Sequence, residues 1–166
     1  TDPMATARYY HTATLLPDGT VLVVAGANDD GFQATAERYQ PATGKWSAAG
    51  TLTHARLAQS ATLLPDGRVL VAGGDCDTCP TTADHETLSS AETFDPGTGS
   101  WTLADAMGTA REWHTGTMLP DGRLLLTGGA RGIDTLALAG TELYGPVIGT
   151  HPAPRLALHG GPGDES

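Results

Sequence analysis

Positive charge is scarce in this chain. One lysine, Lys45, and eight arginines face 19 acidic residues, for a formal net charge of −10. That excess of negative charge repels phosphate backbones and anionic lipids, which argues against nucleic acid and anionic membranes as partners. Long apolar runs are missing too. None reaches the roughly 18 residues that a membrane-crossing helix needs, and no secretory leader is visible at the start. Only two cysteines occur, Cys76 and Cys79, too few for a disulfide framework. Also missing are a P-loop, a dinucleotide fingerprint and a Ser-His-Asp order. Glycine pairs such as Gly128-Gly129 follow predicted strands and do not open helices, so they make no phosphate cradle.

Glycine and proline are plentiful, 33 of 166 residues, while 39% of the chain is apolar. The apolar residues come in compact runs, so the chain reads as turn-rich and folded, long enough for one domain with a core. A motif occurs three times. Leu15-Leu16-Pro17-Asp18-Gly19 precedes Val21-Leu22-Val23-Val24. Leu63-Leu64-Pro65-Asp66-Gly67 precedes Val69-Leu70-Val71-Ala72. Met118-Leu119-Pro120-Asp121-Gly122 precedes Leu124-Leu125-Leu126-Thr127. Asp18 to Asp66 is 48 residues and Asp66 to Asp121 is 55. Other landmarks keep step. Arg8, Arg56 and Arg111 each lie nine residues before the proline, and Glu37, Glu92 and Glu142 each lie two before an aromatic residue. A repeat of roughly 50 residues with this grammar predicts propeller blades.

Each unit reads as four short strands. The first covers residues 11–16, 59–64 and 114–119, and the Pro-Asp-Gly turn follows it. The second, as in residues 21–25, is apolar on both faces, as a strand covered on both sides must be. The third covers residues 36–39, 91–94 and 141–144. A Thr-Gly turn then leads to a fourth strand beginning at Trp46 or Trp101. Helices fit poorly, because the apolar runs are short, β-branched and bounded by glycine and proline.

The Gly-Gly pairs Gly73-Gly74 and Gly128-Gly129, the Glu-x-aromatic-x-Pro segments and the tryptophan a few residues later resemble the kelch repeat. The resemblance covers nearly the whole chain. It implies an all-β, kelch-like β-propeller of about three four-stranded antiparallel blades: residues 8–55, 56–110 and 111–150. Residues 1–7 would end a preceding blade or linker, and residues 151–166 would form a flexible tail. The first repeat departs from the pattern with Gly26-Ala27 where Gly-Gly is expected. The third has no tryptophan after Pro146 and shows no clear fourth strand. Kelch-like propellers close with roughly six or seven blades, and an open stack exposes apolar faces and strand edges. Two readings stand: the blades belong to a longer propeller, or two copies form a six-bladed homodimeric ring.

In a meander the Pro-Asp-Gly and Thr-Gly turns share one end. The loops at residues 27–35, 75–90 and 130–140 share the other, which varies between repeats and is the expected seat of function. Arg8, Arg56 and Arg111 recur with Glu37, Glu92 and Glu142, and such repetition predicts structural ion pairs. His11 and His114 share a position with Gln59, which predicts a hydrogen bond that either residue type can make. Tyr9, Tyr10 and Trp113 fall at the loop-rich end beside His11 and His114, and Tyr10 and Trp113 could stack on a sugar ring. Blade-rim packing is the plainer alternative.

In the second loop, Cys76 and Cys79 with His85 and nearby carboxylates offer zinc ligands. A local disulfide between Cys76 and Cys79, and free thiols, are the competing readings; a disulfide fits an extracellular or periplasmic setting. Tyr10-His11 ahead of Leu15-Leu16-Pro17-Asp18-Gly19 also resembles the kelch segment of galactose-oxidase-type copper radical enzymes. By that resemblance the two side chains would be copper ligands, but the second tyrosine, second histidine and linked cysteine of such a site are not identifiable. The leading expectation is a non-catalytic binding or scaffold module without a cofactor, taking a protein or carbohydrate ligand. A copper oxidase and a self-assembling half-propeller without a separate ligand are the alternatives. The Ala- and Gly-rich, lysine-poor composition points to a bacterial source.

Overall fold

The structure, a computed structural model, describes residues 1–77, 79, 86–132, 136–145 and, as a backbone strand, 155–158. Blade 1 contains β1 (Thr12–Leu15), β2 (Val21–Val24), the small hairpin β3 (Ala27–Asn28) and β4 (Gly31–Phe32), then β5 (Thr35–Gln40) and β6 (Lys45–Thr51). Blade 2 contains β7 (Ser60–Leu63), β8 (Val69–Ala72), the hairpin β9 (Asp75–Cys76) and β10 (Glu86–Thr87), then β11 (Ala91–Asp95) and β12 (Ser100–Ala104). Blade 3 contains β13 (Thr115–Met118), β14 (Leu124–Thr127), the hairpin β15 (Ala130–Arg131) and β16 (Leu136–Ala137), then β17 (Thr141–Gly145) and β18 (Arg155–Leu158). In each blade the four long strands form one antiparallel meander in chain order. The blades stack as in a β-propeller, with the first strands β1, β7 and β13 side by side.

The apolar second strands make this stacking favourable. Alternate residues of β2 face opposite ways, so Leu22 and Val24 meet Val69, Val71 and Phe94 of blade 2. On the next seam, Leu70 and Ala72 meet Leu124, Leu126 and Tyr144. Each fully buried Leu, Val or Phe contributes about 1.5–3 kcal/mol relative to exposure. The Pro-Asp-Gly turns close by local bonds. In the first, the Gly19 amide donates to the Leu16 carbonyl at 3.0 Å and the Leu16 amide to Thr20 at 2.8 Å. Asp18, Asp66 and Asp121 then accept the amides of Thr20, Arg68 and Arg123.

Two details differ from the sequence expectations. In blade 1 the Gly-Gly position is held by Ala25-Gly26, not Gly26-Ala27. Ala25 (φ 61°), Gly73 (63°) and Gly128 (65°) are equivalent, as are Gly26 (93°), Gly74 (99°) and Gly129 (92°). The second residue of the pair must be glycine. A Cβ there would lie 2.6, 2.4 and 2.4 Å from the carbonyls of Tyr9, Leu57 and Glu112. The first position tolerates alanine in blade 1. Blade 3 also has a fourth strand: β18 pairs with β17 from Glu142↔Leu158 to Gly145↔Arg155. Its sequence carries no tryptophan and no Thr-Gly pair precedes it, and backbone pairing needs neither. Residues 155–158 therefore belong to blade 3 and not to a tail; residues 151–154 and 159–166 lie outside the described residues.

Gly74→Ala adds a methyl group against the Leu57 carbonyl and a positive φ. Gly99→Ala, at φ 70° with nothing within 4 Å of the new Cβ, adds only the conformational cost. Urea unfolding should show Gly74→Ala losing about 2 kcal/mol more than Gly99→Ala. Equal losses would contradict the close approach at the seam.

Candidate functional site

Three charged pairs sit in the interior and tie each blade to the segment that enters it. Arg8 Nη2 lies 2.7 Å from Glu37, Arg56 Nη2 3.0 Å from Glu92, and Arg111 Nη2 2.9 Å from Glu142. All six side chains are nearly inaccessible. Each arginine also donates through Nη1 to two carbonyls of its own blade: Ala25 and Thr35, Gly73 and Ser90, or Gly128 and Gly140. Each glutamate accepts backbone amides from the segment just before its arginine. Glu37 takes Ala5 and Thr6, Glu92 takes Thr53, and Glu142 takes Gly108 and Thr109. Burial alone would raise the Glu37 pKa. The Ala5 amide, the Arg8 guanidinium and the Thr6 amide outweigh it and hold the pKa below the ordinary carboxylate value. Burial depresses the Arg56 pKa, and Glu92 opposes the shift. These residues are scaffold chemistry; none of the three pairs opens to solvent.

The position shared by His11, Gln59 and His114 belongs to the seams. Gln59 Nε2 donates to the Val24 carbonyl of blade 1 at 3.2 Å. His114 Nε2 is 2.8 Å from Ser60 Oγ of blade 2. His11, on the open side of blade 1, is exposed. Burial, reinforced by the neighbouring Arg111 charge, lowers the His114 pKa to about 4, against a smaller opposing pull from Glu142.

The aromatic candidates converge at the loop-rich end. Tyr10, Ala58 and Trp113 each begin a blade with φ 55°. All three are left-handed, which is costly for a bulky residue. The rings of Tyr10 and Trp113 meet edge to face with centroids 5.0 Å apart, although blade 2 lies between their blades. Tyr9 packs edge to face on Tyr10 at 5.2 Å. The three remain 52%, 56% and 52% exposed for Tyr9, Tyr10 and Trp113. The repeats bring Tyr10 and Trp113 to equivalent places, but the sequence carries no signal that their rings touch. The left-handed backbone is equally invisible there, because neither glycine nor asparagine marks it.

Cys76 and Cys79 are joined by a disulfide. Their sulfurs are bonded to each other and offer no thiolates for zinc, and His85 lies outside the described residues. Beside them, Asp77 accepts the Phe32 amide at 3.3 Å and so docks the second loop on blade 1. Among the described residues no three His, Cys, Asp or Glu side chains gather as a metal-binding group. Of the described residues that a copper radical site at Tyr10 and His11 could draw on, His114 turns into the seam and both cysteines are in the disulfide. An open groove of about 680 Å³ lies between His54, Thr87, Ser90, Thr109 and Arg131. It does not include the aromatic cluster.

Residues 56–108, the second blade with its entering and leaving segments, match the kelch motif. The chain also resembles the solved structure described as "Structure of YjhT", with a TM-score of 0.72 and 17% identity. The match covers 93% of this chain and 53% of that one, so the chain spans about half the length of that protein. At such identity the likeness is one of fold. No curated protein matches the chain. The fold is that of a β-propeller module, and within it residues 56–108 match the kelch motif. This chain supplies three of its blades, with the kelch motif recognised in the second.

The unfolded chain binds a proton at His114 near the ordinary histidine pKa of 6.5, and the folded chain only near 4. The histidine must therefore be neutral to fit. Stability is fully present above pH 6.5 and is lost as pH falls from there through about 4. His114→Gln, which copies Gln59 of blade 2, should remove part of that slope in urea titrations at about pH 7 and about pH 5. An unchanged slope would contradict the burial of a neutral imidazole.

Proposed function

We propose that the chain is a non-catalytic binding module that holds a carbohydrate on the aromatic cluster Tyr9, Tyr10 and Trp113. The carrying observation is the comparison of equivalent residues. Ala58 adopts the same φ of 55° as Tyr10 and Trp113, so the backbone does not call for a large side chain there. Tyrosine and tryptophan bear the left-handed strain and still leave about half of their surface in water. Core packing does not require that choice, and stacking on a ligand does. Sugar rings present C–H faces to aromatic rings, and the phenol hydroxyls supply hydrogen bonds at the edge. The small hairpins β3–β4, β9–β10 and β15–β16 rise at the same end and vary in sequence, as specificity loops do.

The test is titration calorimetry against a panel of neutral oligosaccharides. Wild type should bind at least one. Tyr10→Ala and Trp113→Ala should each weaken it by about 30-fold, on the scale of an aromatic anchor worth about 2 kcal/mol. Both variants should keep the fold, because Ala58 already occupies the equivalent place. No binding by wild type, or equal binding by both variants, overturns the reading.

A further inference from the structure

We propose that the uncovered faces of blades 1 and 3 bind each other between two copies of this chain, making seams of the same register as the two internal ones. The internal seams serve as templates. In each, a glycine amide donates to the carbonyl of the arginine that opens the next blade: Gly26 to Arg56 at 2.9 Å and Gly74 to Arg111 at 3.0 Å. In each, the residue three places after that arginine reaches back across the seam, Gln59 to Val24 and His114 to Ser60. An aromatic residue on the third strand of the later blade is buried, Phe94 on the first seam and Tyr144 on the second.

The outer faces carry the same parts without a cover. On blade 1, Tyr39 stands where Phe94 and Tyr144 stand but is half-buried, and His11 is exposed where Gln59 and His114 are buried. Leu15 of the same blade is 64% exposed. On blade 3, Leu125 is half-buried where Leu22 and Leu70 are buried. A Cβ on Gly73 would meet the Arg111 carbonyl of the next blade at 2.3 Å. On Gly128, its equivalent, the nearest atom is the Leu138 carbonyl of the same blade, at 3.6 Å. Gly129 keeps the φ of Gly26 and Gly74, 92° against 93° and 99°. Its amide is therefore set to donate to the Arg8 carbonyl of a second copy, and His11 is set to reach that copy's Thr115, the equivalent of Ser60.

A second copy fits as the occupant because the two open faces complement each other part for part. The similar propeller is about twice as long as the part this chain matches, at 53% coverage, a share that three more blades of this kind fill. Blade 1 is also already prepared for the contact. The Asp2 carbonyl accepts Trp46 Nε1 at 3.0 Å, much as the Ala49 carbonyl of blade 1 accepts Trp101 Nε1 at 2.8 Å. The segment entering the blade is thus in place, and a partner need supply only a sheet face. Joining blade 3 of each copy to blade 1 of the other closes the ring under two-fold symmetry. The proposal does not depend on the carbohydrate reading.

Light scattering on a size-exclusion column tests it with the 166-residue chain. The expected mass is twice 17.0 kDa. Leu125→Arg should halve that mass, and Leu103→Arg, on the outer strand β12, should leave it unchanged. Register is tested by mixing His11→Cys with Thr115→Cys under mild oxidation. A covalent band of two chains should appear, and neither variant alone should give it. A monomer, an open-ended series of larger species, a dimer indifferent to Leu125→Arg, or no mixed band would each overturn the proposal. A monomer would assign the open faces to other blades.

Discussion

A buried guanidinium–carboxylate pair, made three times, is what the stack rests on. An arginine at a blade's entry is costly to desolvate unless its donors find partners. Here the terminal nitrogens are spread over a glutamate on the third strand and two carbonyls beside it. The glutamate in turn takes the amides of the incoming segment. One cluster thus fixes the blade's third strand, the end of its second strand and the chain's approach from the previous blade. Removing one partner would leave a buried charge and cost about 3–5 kcal/mol. The seams of Leu, Val and Phe provide the bulk of the burial, but apolar contact is non-directional. The ion pairs and the glycine-to-arginine backbone bonds set the angle and height at which one blade meets the next.

Much of this is legible because the chain repeats itself. Three copies of Pro-Asp-Gly, three arginines nine residues ahead and three glutamates before an aromatic stand in for a comparison of relatives. They separate the shared frame from the local additions. Blade number, strand order and the turn end follow from them. The small hairpins do not, because two-residue strands leave no periodicity. Gly26-Ala27 misleads because glycine is the visible mark of the pair, whereas the distance from the end of β2 is what defines it. The fourth strand of blade 3 is hidden because it lacks the tryptophan that marks β6 and β12, and the ladder to β17 needs only backbone.

The aromatic cluster shows the opposite limit. Tyr10 and Trp113 stand out as the difference between otherwise equivalent positions, with Ala58 at the same place in blade 2. Repeat position therefore locates the candidates, but that their rings meet across blade 2 is a matter of blade geometry that no residue pattern marks. The same end bears the disulfide loop, which docks on the first blade through Asp77. Variation is concentrated at this end, while at the other the three Pro-Asp-Gly turns are alike.

Amide hydrogen exchange of Thr53, Gly108 and Thr109 is the most direct measure of the ion-pair frame. These amides lie in connecting segments, where exchange is ordinarily fast, but each donates to a buried glutamate. They are expected to exchange as slowly as the core strand β8, opening only with the whole domain. Exchange as fast as in the exposed turn at Thr98–Gly99 would show that the glutamates do not hold the incoming segments, and the central claim would fail.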